Sequence, residues 1–294
     1  MGKKYFTVLA ERGLLSVAGA DARHFLQGLV SNDVEKVSPE RAVHAALLTA
    51  QGKYLHDFFI AEFDGAFLLD AEAVRLADLK RRLSLYKLRA AVSIEEAGFK
   101  VAAAFGEGAL AALELPTEPG SARKFGEGLA FTDPRLVALG ARLLLPDPAS
   151  LAALGFEEAD PAAYDLLRLE LGVPDGSRDL DIDKTHLLEA GFDELNGVDW
   201  KKGCYVGQEL TARTKYRGLV KKRLIPVRLT GPLPASGAPV MLGSREAGEI
   251  RSGRDGLALA ILRLDAIEEA ASSGEPLLAG ETRVQPVKPD WARF

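Results

Sequence analysis

The spacing of apolar residues along the chain predicts its first elements. Residues 5–10 and 14–17 read as short strands joined by a turn at Arg12–Gly13. Asp21 has the character of a helix N-cap, and Phe25, Leu26, Leu29 and Val30 fall on one face of the helix it opens. Ser31, Asn32 and Asp33 stop that helix. Residues 43–69 read as two or three strands, broken at Gln51–Gly52 and Asp64–Gly65. Leu76, Leu79, Leu83 and Tyr86 lie at helical spacing and predict a helix over 73–86. Residues 91–94 read as a strand, and a similar order follows: strand 100–105, helix 109–113, strands 129–132 and 142–145. Strands mixed with single helices point to a ferredoxin-like α+β unit. Asp160–Pro161 opens another helix, faced by Tyr164, Leu167 and Leu171 and ended by Gly172 and Pro174. Residues 175–200 carry no clear period. After Lys222 the pattern becomes short β-rich runs between Gly and Pro turns, which predicts a small all-β barrel or sandwich.

Composition adds limits. The chain has 294 residues, 47% of them hydrophobic and 27% charged, enough for a sizeable core without cross-links. It has one cysteine, Cys204, which excludes an internal disulfide and any multi-cysteine zinc or iron–sulfur site held by one chain. The net charge of −5 argues against a protein built to wrap nucleic acid. The first residues show no apolar run before Glu11 and Arg12, and no window approaches a membrane-spanning length. These features lead to the expectation of a cytoplasmic protein with no membrane partner.

Few motifs carry chemistry. Gly106-Glu107-Gly108-Ala109-Leu110-Ala111 has the form of a dinucleotide-binding turn. Glu107 sits where phosphates would lie, and the helix is short, so an ordinary strand–turn–helix corner is the better reading. His24, His44, His56 and His186 are scattered without metal-ligand spacing, and no metal site is expected. His56 and Asp57 are neighbours on a strand and point to opposite faces. Between Lys201 and Arg228 there are nine basic residues and one acid, Glu209. A second cluster comprises Lys80, Arg81, Arg82, Lys87 and Arg89, best read as a solvated face. Cys204 follows two lysines and lies between Gly203 and Gly207. Cationic neighbours favour a reactive thiolate, whereas free cysteines are commonly buried and inert; both readings stay open.

The octapeptide Lys202–Glu209, KGCYVGQE, resembles the signature of the YgfZ folate-binding family, relatives of the glycine-cleavage T-protein aminomethyltransferase. Its extension LTARTKYRGLVKKRL is similar to the mitochondrial-type iron–sulfur assembly branch. FLQGLVSND at 25–33 and LRLELGVP at 167–174 match as well. The resemblance implies a three-domain, T-protein-like ring around a bound tetrahydrofolate. Residues 1–41 and 155–221 would form a discontinuous folate-binding domain. Residues 42–154 would be the inserted ferredoxin-like domain, and 222–294 the C-terminal β-barrel. It further implies a role in assembling or maintaining iron–sulfur clusters in client enzymes, with an indirect effect on tRNA modification. The implied partners are those clients or assembly proteins.

Residue by residue, Glu170 matches the family carboxylate that binds the pterin. Cys204 matches the family cysteine, and with Lys202 it is the catalytic candidate. Asp57, Tyr205, Arg213 and Arg217 are folate-binding candidates, while Gly203, Gly207, Gln208 and Glu209 are motif residues of structural character. The stretch Ala50–Asp57 departs from the T-protein pattern: Lys53 replaces a glycine and His56 an acid, so aminomethyl transfer is an alternative that this stretch disfavours. Direct tRNA binding through residues 201–228 is a second alternative, without a recognisable RNA-binding module.

Overall fold

The structure, a computed structural model, describes residues 2–218 and 220–293. Its contacts divide it into two compact units. The first comprises Met1–Leu48, Leu55–Tyr164 and Leu195–Val206; the second comprises Thr49–Tyr54, Asp165–Glu194 and Gly207–Phe294.

The first unit holds, in chain order, β1 (Lys4–Val8), β2 (Arg12–Ala18), α1 (Ala22–Gln27), β3 (Val43–Leu48), β4 (Tyr54–Phe63), β5 (Ala66–Glu72), α2 (Leu76–Lys87), β6 (Ser93–Glu96), β7 (Lys100–Gly106), α3 (Ala109–Ala112), β8 (Ala122–Phe125), β9 (Gly128–Thr132), β10 (Ala141–Leu145) and β11 (Glu157–Glu158). Helix α4 (Pro161–Glu170) begins in it and ends in the second unit. The strands form two sheets, ordered β3-β4-β5-β2-β6 and β11-β1-β7-β10-β9-β8. The first two strands therefore part company. β2 pairs with β5 and β6, and β1 pairs with β7. Each sheet thus takes one strand from the first eighteen residues, so neither respects a boundary at residue 42.

Period-two alternation decides which way each strand's side chains point. In the first sheet Leu15, Val17, Phe58, Ile60 and Leu69 pack beneath Phe25 and Leu26 of α1 and Leu79 and Leu83 of α2. Each such buried side chain contributes roughly 1.5–3 kcal/mol relative to exposure. Tyr86, expected on the same stripe, is exposed. Asp21 precedes α1 without capping it; its carboxylate accepts the Ala91 N–H at 2.7 Å. In the second sheet Phe6, Ala102, Ala104, Ala130 and Leu143 pack against Ala109 and Leu113 at α3. That helix is a single turn of four residues, so the Gly106–Ala111 motif is a corner and not a dinucleotide cradle.

The remaining faces of the two sheets meet across a charged layer. Arg12 donates to the buried Asp70 at 2.7 Å. Arg142, also buried, lies 3.6 Å from the other Asp70 oxygen. Asp133 and Arg135 pair at 2.8 Å. Burial alone would raise the Asp133 carboxyl, but Arg135 outweighs it and holds the group below the usual range. The Phe59 ring lies at the centre, with the guanidiniums of Arg135 and Arg142 each 4.9 Å from its centroid and the Phe131 ring at 5.8 Å.

The second unit contains α5 (Gln208–Tyr216) and then β12 (Lys222–Thr230), β13 (Pro239–Leu242), β14 (Arg245–Arg254), β15 (Leu257–Arg263), α6 (Leu264–Ser273), β16 (Leu277–Ala279) and β17 (Thr282–Pro286). The six strands close into a barrel, β12-β15-β14-β13-β16-β17. Register shifts in β13 and β14 supply the bends that closure needs. Val227, Val240, Ile250, Ala260, Leu262 and Val284 fill the interior. Neither α6 nor β16 is among the predicted elements, although Ala266, Ile267 and Ala270 carry a helical spacing. Within 165–194 order comes from ion pairs. The buried Arg168 donates to Asp179 at 2.5 Å and to Ser252 Oγ at 2.6 Å.

Candidate functional site: an anchored cysteine loop

The loop that carries Cys204 is built on the end of α1. Ser31 Oγ donates to the Gly197 carbonyl at 2.6 Å and accepts the Ala46 N–H at 2.8 Å. Asn32 Nδ2 donates to the carbonyls of His44 and Asn196, both at 2.7 Å, while its Oδ1 accepts the Asp33 N–H. Asn196 has a left-handed φ of 56°, a conformation its short polar side chain tolerates. Asp199 then turns the chain. Its Oδ1 accepts the backbone N–H groups of Lys201 and Lys202, and Lys36 pairs with its other oxygen.

Lys202 is buried, and its ammonium donates to three carbonyls: Gln27 at 2.9 Å, Val30 at 2.6 Å and Asn32 at 2.7 Å. These carbonyls lie at and just past the C-terminal end of α1, where partners are lacking and a cation is favoured. An ammonium has three donors, so all three are occupied by main chain. Burial pushes the Lys202 amine down to about 8, with Asp33 and Asp199 opposing. Its Nζ also lies 5.0 Å from the centroid of the buried Tyr205 ring. On the far side of Cys204, the Val206 N–H donates to the Gly28 carbonyl at 3.3 Å. Lys202 and Val206 thus pin the loop to the same helix end, with Gly203 and an exposed Cys204 at its tip.

The two glycines play different parts. A Cβ on Gly203 would meet nothing within 4 Å. Gly207 holds a left-handed φ of 83° as the N-cap of α5. Glu209 stands in the first turn of α5, where its charge suits the helix dipole, and Gln208 is half-buried.

The other predicted residues fall elsewhere. Asp57 is buried on β4, its Oδ2 3.3 Å from His44 Nε2. Burial lowers the His44 imidazole, with Asp57 opposing. His56 faces away, as alternation requires, and contacts Asp78 at 3.0 Å. Glu170, the last residue of α4, is exposed in the second unit, and its carboxylate has no hydrogen bond or ion pair among the described residues. Arg213 and Arg217, also in the second unit, are exposed, and neither side chain has an ion-pair partner among the described residues. The basic stretch 201–228 is not one surface. Lys202 is buried, and Arg223 is taken by Glu194 at 2.9 Å and the Leu188 carbonyl at 2.8 Å. Among the described residues no group of acidic, histidine or cysteine side chains could hold a metal ion. Ser31, Asn32 and Asp199 build the loop but are missing from the predicted site. The run Ser31-Asn32-Asp33 after an amphipathic helix was the signal for the first two; Asp199 had none.

Comparison with known proteins places these features in context. Residues 221–294 match the family described as CAF17, C-terminal beta-barrel domain. The chain is 34% identical over 304 residues to the iron-sulfur cluster assembly factor IBA57, mitochondrial, of Mus musculus, covering 95% of this chain and 83% of that one. The Homo sapiens protein of the same name is 34% identical over 307 residues, with the same coverage. The crystal structure of glycine cleavage system aminomethyltransferase T from Bartonella henselae superposes with a TM-score of 0.78 at 18% identity, covering 99% of this chain and 86% of that chain. It establishes a T-protein-like fold. The expected cytoplasmic location is overturned, because these relatives are named as mitochondrial proteins. A single free cysteine suits any reducing compartment, so it could not single out the cytoplasm. The resemblance carried by KGCYVGQE holds at the level of sequence, fold and barrel together, and the chain belongs to the IBA57 family of iron–sulfur cluster assembly factors.

Proposed function

We propose that this chain supports the assembly or maintenance of iron–sulfur clusters in client enzymes, with Cys204 as the working thiol and tetrahydrofolate as a bound cofactor. One observation carries the reading: the chain's single cysteine is exposed at the tip of a loop pinned on both sides. One thiolate cannot hold a cluster alone, so any cluster that Cys204 touches is shared with ligands from a partner. Pinning restricts where the sulfur points and lowers the ordering cost of docking a partner. The names of the relatives, which say of those proteins that they assemble iron–sulfur clusters, support the same reading.

The folate part rests on a narrower fit. Glu170 offers an exposed carboxylate without a partner among the described residues, at a helix end where its charge is not stabilised. A pterin edge presents adjacent N–H donors, and a carboxylate accepts both. Arg213 and Arg217 are exposed cations suited to a glutamate tail. Asp57 and Tyr205 are buried and already engaged, so they are not assigned direct contacts. Tetrahydrofolate would supply a one-carbon carrier; the protein's part is to bind and orient it.

Two measurements test the proposal. Calorimetry should show tetrahydrofolate binding that weakens at least tenfold in Glu170→Ala, the scale of a lost charge-assisted hydrogen bond. A folded wild type that does not bind removes the cofactor. In cells lacking the chain, Cys204→Ala should fail to restore an iron–sulfur enzyme that the wild type restores. Full restoration removes the thiol's role.

A further inference from the structure

Helix α2 presents an outward face that the proposed function does not use. Its inner residues Leu76, Leu79 and Leu83 are buried in the core of the first unit. Its outer side and flanks expose Val74 and Leu88, each at 89%, and Leu85 at 66%. Arg81 and Leu85 are one helical step apart on α2, while Val74 stands in the turn before the helix and Leu88 directly after its last residue. From Glu72 to Arg89 there are six cations and two acids, in a chain whose net charge is −5. Both acids are engaged locally: Asp78 accepts from Arg81 and Arg82, each at 2.6 Å, and Glu72 lies 3.6 Å from Arg75. Lys87 and Arg89 have no ion-pair partner among the described residues. Between them Leu88 holds a left-handed φ of 43°, a conformation unusual for leucine. A strained backbone that displays a large apolar side chain between two cations is costly in water unless something receives it.

We propose that this face docks on an anionic lipid surface. No helix among the described residues is long and apolar enough to cross a membrane, so the contact is with the surface. The charge complements an anionic bilayer. The shape is the convex outside of a helix with separated aliphatic side chains, which a fluid interface accepts without a matching pocket. Tyr86, half exposed beside the leucines, has the amphipathic ring that favours a membrane–water boundary. Arg81, Lys87 and Arg89 lie at the level of the headgroups.

The test is co-sedimentation of the full chain with phosphatidylcholine vesicles, with and without phosphatidylglycerol. The protein should pellet with the mixed vesicles, not with phosphatidylcholine alone, and added salt should release it. Both Lys87→Glu/Arg89→Glu and Leu85→Ser/Leu88→Ser should weaken binding about tenfold or more. Leu88→Gly adds a control for folding. It should raise the unfolding temperature, because glycine accepts the left-handed φ, and still weaken vesicle binding. Absence of binding by the wild type overturns the proposal, as does equal binding to neutral vesicles or binding unmoved by both double variants. Equally tight capture by soluble poly-glutamate would assign the face to an acidic protein instead and overturn it too.

Discussion

At the scale of single residues, Lys202 is the most informative. Lys202→Met would keep much of the bulk but leave the Gln27, Val30 and Asn32 carbonyls unpaired. Urea titration should show a loss of roughly 2–4 kcal/mol. Cys204→Ser, at an exposed position, should change stability by no more than about 0.5 kcal/mol. A functional defect in that variant would therefore belong to the sulfur. His56 sets a pH dependence. Burial first, then Arg75, lowers its imidazole from 6.5 to about 4, with Asp78 opposing. The unfolded chain takes up this proton before the folded one, so stability falls as pH drops from 6.5 towards 4. The loss from this group is up to about 3 kcal/mol. Denaturation midpoints across that range should fall less steeply in His56→Gln.

At the scale of elements, the loop and the helix after it respond differently to their glycines. Gly207→Ala should cost roughly 1–2 kcal/mol, because the left-handed cap penalises a Cβ. Gly203→Ala should be near neutral, since open space surrounds it. Thermal unfolding of the pair separates a conformational glycine from a permissive one. The elements that were legible from sequence are those with a strong period and clear stops. β4 and β5 are strand-forming runs, buried along most of their length and parted by Asp64–Gly65. α2 repeats Leu76, Leu79 and Leu83. The elements that escaped have weaker local signals. β16 has three residues, too few to show alternation. α6 lies between barrel strands, and its small apolar residues were hidden by the expectation of continuous β-structure.

At the scale of the whole molecule, the barrel and the T-protein-like fold were readable, and the N-terminal sheets were not. No local pattern says that β1 and β2, separated by a short turn, join different sheets. Strand partnership is a long-range choice made by packing. The charged layer was equally hidden: Asp70, Arg135 and Arg142 each look like surface residues in sequence and become buried only when two sheets face each other. In the candidate site, Cys204 was legible because its octapeptide is specific, whereas the role of Lys202 required seeing which carbonyls surround it. Asp70→Asn should destabilise the fold by roughly 3–5 kcal/mol in chemical denaturation, because it strips a buried charge from between Arg12 and Arg142. The chain's one thiol has one more consequence. In redox terms each chain is monovalent: oxidation can join two copies or cap one with a small thiol, but it cannot build a polymer. A covalent ladder in air-exposed protein must stop at the dimer, and reductant must dissolve it completely.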